Sequence, residues 1–195
     1  MKWQILIAST IDRQEKFDVL HDTFLDMIWE HKLENDVKVV FDIDNKEKSI
    51  GKKRQDLLEV ATADYISFFD SDDMPFKNYI PSIYNALKEE PDCIGMIISM
   101  TTNLKNPQTC CHSLKYPQWS NSKDGYDYVR NVTHFNPVKR LLALQAGFPD
   151  LRWGEDKPYS DKLTTLCKKE IFIDEPLFHY RYSTEIPHNK KYGIK

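Results

Sequence analysis

Hydrophobic and polar positions follow two different periods along the first hundred residues. "WQILIA" (3–8) is a short apolar run of strand length. Phe17, Leu20, Phe24, Met27 or Ile28, and His31 then recur at helical spacing through about residue 33, after a segment where Ser9, Thr10 or Asp12 offers an N-cap. "VKVVFDI" (37–43) reads as a second strand. The polar loop "DNKEKSIG" leads to a helix around 52–62 with Leu57, Leu58 and Ala61 inward. "YISFFD" (65–70) is a third strand, and a helix is predicted from Pro75 to about Glu90, proline suiting its first turn. "DCIGMIISM" (92–100) is a fourth strand. Residues 101–126 are polar, hold Pro107 and Pro117 and keep no period, which predicts a long loop or irregular edge. Helices are expected near 137–146 and 158–169, then a final apolar stretch, "EIFIDEPLFHYRYS" (170–183), and a flexible tail over 183–195.

Strands alternating with helices predict an α/β fold, a mostly parallel sheet flanked by helices. Such sheets bind ligands beyond the carboxyl ends of their strands. Residues 9–13, 42–44 and 70–73 all fall there, so three polar clusters are expected to converge on one crevice.

Composition narrows the picture. The 195 residues suit a single domain, and the net charge of -3 gives no global attraction to nucleic acid or anionic membranes. No window holds the ~18 uninterrupted apolar residues of a membrane span, and no export signal precedes the first strand. Cys93, Cys110, Cys111 and Cys167 lack metal spacing and read as reduced thiols, so a soluble cytoplasmic protein is expected. The sequon at Asn131 is then a chance match.

The chemistry concentrates in "ADYISFFDSDDMPF" (63–76), where a buried strand delivers Asp70, Asp72 and Asp73 into one turn. A helix cap or solvated turn needs one aspartate, not three in four residues. A phosphohydrolase of the haloacid dehalogenase type places DxDx[TV] at a strand end; "DIDNK" (42–46) and "DSDDM" (70–74) begin that way but lack the fifth residue. The reading that explains the crowding is a divalent cation, Mn²⁺ or Mg²⁺, held by carboxylates and shared with a diphosphate.

At this point the chain resembles glycosyltransferase family 2. "SIGKKRQDLLEVATADYISFFDSDD" is similar to the family's core, where a Gly and an Arg open a helix and an apolar strand ends in a DxD motif. "HFNPVKRLLALQAGFPDLRWGEDKPYSDKL" is similar to its acceptor-side segment with an ED motif. The resemblance implies a GT-A fold in one domain: a nucleotide-sugar and metal half over 1–100 and an acceptor half over 101–182. It implies a metal-dependent, inverting transfer from a nucleoside-diphosphate sugar, UDP by default. Asp70 and Asp72 would be the DxD and Asp156 the general base, with Glu155 beside it or both serving as the acidic start of a helix. Thr10, Asp12, Arg13, Asp42 and Ser71 would grip the donor. Arg54 matches a basic position near the donor, or is a surface helix residue. Asp73 is either a supporting group or a helix cap. His134, Trp153 and Glu155 would line the acceptor or sugar pocket, against structural alternatives for each. His179 would complete the metal or phosphate site, with His188 the lesser candidate and Arg181 another group for the phosphates.

The chain lacks the Gln-x-x-Arg-Trp motif of processive synthases, so a single transfer is expected. The acceptor stays open: a glycan, a lipid-linked sugar, a protein side chain, or a hydroxylated DNA base if Lys115, Lys123, Arg130, Lys139 and Arg140 formed a basic groove. The opposing readings are a metal-dependent phosphohydrolase and a non-catalytic nucleotide-binding module.

Overall fold

The first strand, β1 (Trp3–Thr10), is apolar on both faces, as a strand covered from both sides must be. Successive side chains point oppositely. Trp3, Ile5 and Ile7 enter one core cluster, while Leu6 and Ala8 enter another. The computed structural model describes residues 1–184. The predicted tail beyond Thr184, with His188, lies outside the described residues.

After β1 and a single 3-10 turn (Ile11–Arg13) come α1 (Gln14–Glu30), β2 (Val37–Asp44), α2 (Ile50–Val60), β3 (Tyr65–Phe68), β4 (Met74–Pro75) and α3 (Tyr79–Leu87). The second half runs β5 (Cys93–Thr102), β6 (Lys105–His112), β7 (Ser120–Lys123), β8 (Tyr126–Arg130), β9 (Val138–Lys139), α4 (Arg140–Ala146), α5 (Asp156–Leu166) and β10 (Glu170–Tyr182). One sheet runs β2-β1-β3-β9-β5-β6-β8-β7, with β10 pairing β5 and β4. Phe17, Leu20 and Phe24 of α1 and Tyr79, Ile80 and Ile83 of α3 pack on one face. Leu57 and Leu58 of α2, Ala143 of α4 and Tyr159 and Leu163 of α5 pack on the other.

The α/β class with flanking helices stands. The sheet is parallel across β2-β1-β3 and becomes mixed beyond, because the two-residue strand β9 runs antiparallel between β3 and β5. That bridge also delays α4 to Arg140. Pro75 does not open α3. It pairs with Phe178 of β10, and the helix starts at Tyr79. Neither Ser9, Thr10 nor Asp12 caps α1, because β1 extends through Thr10 and the 3-10 turn intervenes.

The largest departure is 101–126, where the expected loop is a set of strands. Asn103 and Leu104 (φ 51° and 58°) join β5 to β6, and Asp124 and Gly125 (φ 56° and 86°) join β7 to β8. Both are two-residue turns with positive φ at each position, the hairpin geometry that matches strand twist. No apolar alternation marks these strands because much of β6 and all of β7 is solvent-exposed.

Candidate active site

Beyond β3 the chain turns back on itself, with Asp73 N–H donating to the Asp70 carbonyl (3.1 Å). Asp70 and Asp72 open on a cleft of roughly 530 Å³ beyond the strand ends. Asp73 is buried and accepts a hydrogen bond from the backbone N–H of Arg181 (2.8 Å). It therefore pins β10 to the acidic turn and does not cap α3. Ser71 is buried, its hydroxyl accepting from Ser9 Oγ (3.0 Å), and it does not line the cleft.

The first turns of α2 organise the floor. Ser49 caps the helix, accepting from Lys52 N–H (2.9 Å). Gly51 follows, and a Cβ there would sit 2.0 Å from the Pro149 carbonyl oxygen, so only glycine lets the 149–155 loop approach. Lys53 and Arg54 come next, both buried. Lys53 Nζ bonds the Ser9 carbonyl and Asp44 Oδ1, joining the ends of β1 and β2. Arg54 donates to Asp70 Oδ1 (2.7 Å) and to Glu155 Oε1, joining the end of β3 to the start of α5. The surface reading of Arg54 is thus overturned. Lys53 escaped sequence reasoning, yet a signal existed: Lys53 and Arg54 stand one helical turn before Leu57 and Leu58, on the inward stripe.

Thr10 and Arg13 line the cleft, Arg13 lying 3.4 Å from Asp72. Asp12 and Asp42 do not line it. They pair instead with Lys46 (2.7 Å) and Lys48 (2.8 Å), which do. The Lys46 and Thr10 hydrogen bonds hold the Asp12 carboxyl below its ordinary range. Arg152, Lys157 and Arg181 add further cations, so the cleft wall carries more positive groups than carboxylates.

On the far wall Gly154 takes φ +77° and Trp153 is 57% exposed over the cleft, so it is no core tryptophan. Glu155 is buried; desolvation raises its pKa and the Arg54 guanidinium offsets part of that. Asp156 starts α5 and lines both this cleft and an adjoining lobe of about 300 Å³. His134 lies in the wall common to both, its ring nitrogens without hydrogen-bond partners. Burial, with Arg54 nearby, keeps its pKa well below the ordinary value, so the imidazole is neutral.

His179 pairs through its backbone with Met74, directly after Asp73. It faces Thr101 (Nε2 to Oγ1, 2.7 Å) and does not line the cleft. Among the described residues no three His, Cys, Asp or Glu side chains gather as a ready cation cage. Two carboxylates of one turn, opening on a cation-rich cleft, offer oxygen donors of the type that hard divalent cations take. Of the five cations considered for a basic groove, Lys115 and Lys123 both approach the Tyr116 ring (5.4 and 5.6 Å). Lys139 and Arg140 lie at the amino end of β3, away from the acidic turn, with Lys139 bound to Asp92 (2.8 Å). Lys115 is held by Asp124 (2.8 Å).

No helix among the described residues is long and apolar enough to cross a membrane. Comparison with curated proteins returns no match. Among solved structures the chain is similar to S. aureus TarS 1-349 in complex with UDP-GlcNAc (TM-score 0.58, 15% identity, 93% of this chain and 58% of that one). The same protein in complex with UDP gives TM-score 0.58 at 16% identity over 94% and 61% of the two chains. A third structure, S. aureus TarS, gives 0.56 at 16% over 93% and 37%. The chain therefore spans about three fifths or less of these proteins, and at such identity the likeness speaks to fold, here the GT-A arrangement. Sequence speaks more directly, since residues 22–137, from α1 to the approach to β9, match the profile described as glycosyl transferase family 2. That segment carries α2, the acidic turn and His134, and on its strength the chain belongs to glycosyl transferase family 2.

Proposed function

We propose that the protein moves a sugar from a nucleoside-diphosphate donor to an acceptor hydroxyl with inversion at the anomeric carbon. The observation that carries this reading is the placement of Asp70, Asp72 and Asp156 on one cleft whose cations outnumber its carboxylates. UDP is the favoured nucleotide, supported by the UDP and UDP-GlcNAc complexes of TarS. In this reading residues 1–100 hold the donor and 101–182 the acceptor.

Thr10 and Arg13 contact the nucleotide, with Lys46, Lys48 and Arg181 facing the phosphates. Asp70 and Asp72 would hold Mn²⁺ or Mg²⁺, which when bound stabilises charge on the departing diphosphate. Arg54 fixes Asp70 in place, and Arg13 stands 3.4 Å from Asp72. Asp156 takes the proton of the acceptor hydroxyl as its oxygen bonds the anomeric carbon. The bond from that carbon to the diphosphate breaks on the opposite side, its electron pair leaving with the nucleotide. Glu155 cannot share this duty, being buried and bound to Arg54; it positions Asp156. Family membership favours transfer over the phosphohydrolase alternative.

Thermal melting with UDP, GDP, CDP and dTDP, each with and without Mn²⁺, tests the reading. Saturating UDP with Mn²⁺ is expected to add ~2–3 kcal/mol, a shift of several degrees, lost in Asp72→Ala. Asp156→Asn should keep that shift and lose ~10²–10⁴-fold in turnover. A shift without turnover in the unmodified protein would favour the binding-module alternative. No shift with any nucleotide overturns the donor assignment.

A further inference from the structure

The cleft and its adjoining lobe share Trp119, His134, Phe135, Asp156, Tyr180 and Tyr182, but differ in character. The cleft is walled by charges. The lobe is walled mainly by apolar and aromatic groups, among them Ile98, Met100 and Tyr128. Its charged lining residues, among those described, are Asp156 at the junction and Arg130. Arg130 is already engaged. It donates to the Ser120 and Val129 carbonyls (3.0 and 2.9 Å) and lies over the rings of Trp119 and Tyr128 (5.0 and 5.2 Å). Neutral His112 and His134 give the lobe polar edges without charge.

Trp119 is held as a surface and is not packed as core. Its Nε1–H donates to Asn131 Oδ1 (2.8 Å), and Asn131, wholly buried, donates onward to Asp161 (3.2 Å). Arg130 and Lys157 both approach the ring, yet the side chain stays 38% exposed beside Asp156. A buried amide tethering an exposed indole next to a carboxylate pre-orients an aromatic face for a ligand. The lobe is at the small end for a ligand pocket, with room for one ring.

We propose that this lobe takes a neutral pyranose ring of a glycan acceptor, with Trp119 as the stacking residue that sets acceptor class. The inference rests on the transferase reading above. A base within DNA would bring phosphates, whereas among the described residues the lobe is lined by one cation, Arg130, which is held by the Ser120 and Val129 carbonyls and the Trp119 and Tyr128 rings.

Saturation-transfer NMR tests this with methyl β-glucoside, β-galactoside, α-mannoside and N-acetyl-β-glucosaminide, and with 5-hydroxymethyl-2′-deoxycytidine, all in the presence of UDP and Mn²⁺. At least one pyranoside is expected to bind. Its affinity should fall about tenfold in Trp119→Leu and by no more than about threefold in Trp119→Phe, which keeps a stacking face. Melting with UDP checks that both variants remain folded. If Trp119→Leu loses that shift, Trp119→Phe against Trp119→His makes the same comparison. The proposal is overturned if a protein that binds UDP takes no pyranoside, takes only the nucleoside, or binds pyranosides equally in every variant. Trp119-dependent pyranoside binding without any UDP response would uphold the lobe's assignment and sink the donor reading instead.

Discussion

Lys53 and Arg54 are chain neighbours, yet the 100° between them on α2 sends one cation to the ends of β1 and β2 and the other to β3 and α5. Burying a guanidinium is tolerable only because two carboxylates meet it, and removing one member of such a group strands the rest. Arg54→Met leaves Glu155 buried and unpaired. Urea unfolding at neutral pH should show a loss of about 3–5 kcal/mol, with much of it recovered when Glu155→Met is added. If the double variant is no more stable than the single one, Arg54 is serving mainly Asp70. The same residue shows how chemistry and fold share parts: the guanidinium that steadies the metal-ligand candidate also seats the residue before the candidate base.

Among the elements, α2 sets the site because its first turn can approach the 149–155 loop. Gly51 N–H donates to the Leu151 carbonyl (3.0 Å), and any side chain at 51 would drive into the Pro149 carbonyl. Gly51→Ala is therefore expected to cost about 1–3 kcal/mol and to displace Glu155 and Asp156. Melting temperature and turnover should fall together, whereas unchanged turnover would show that the loop reseats itself. The hairpins teach a different lesson. The Asp124-Gly125 pair between β7 and β8 is a turn signal legible in the sequence, although the strands around it carry no apolar alternation. Asn103-Leu104 was not readable: a leucine at φ 58° goes against local preference, and only the β5–β6 pairing imposes it.

For the whole molecule, the two buried histidines make stability depend on pH. Burial lowers the His112 pKa to about 3, and that of His134 also lies well below 6.5. The unfolded chain takes up protons on both as pH falls through about 6.5, while the folded chain does not. Their contribution is thus complete above that pH and lost below it, by up to ~1.4 kcal/mol per pH unit for each. Melting temperature should drop between pH 6.5 and 5, a fall made shallower by His134→Gln. The paired carboxylates Asp12, Asp44 and Asp92 act lower, below about pH 4, because their partners hold them under the ordinary value. Glu155 runs the other way, its raised pKa withdrawing stability as pH climbs past 4.5.

The sequence by itself determined the α/β order, the inward faces of α1, α2 and β1, and the family, since helical and strand periods and the acidic turn are local in the chain. It also placed Asp70, Asp72, Arg54 and Asp156 among the residues of interest. Tertiary structure alone decided that Arg54 and Lys53 are buried, that Trp153 faces the cleft, that His179 bonds Thr101, and that Lys139 and Arg140 lie away from the acidic turn. It also built the aromatic lobe, from β5, β6, β8 and β10 and the loops beside them. The physical reason is distance along the chain. Glu155 meets Arg54 across 101 residues, and Trp119, in the loop before β7, lines the same lobe as Tyr180 and Tyr182 of β10, so no local period records either meeting.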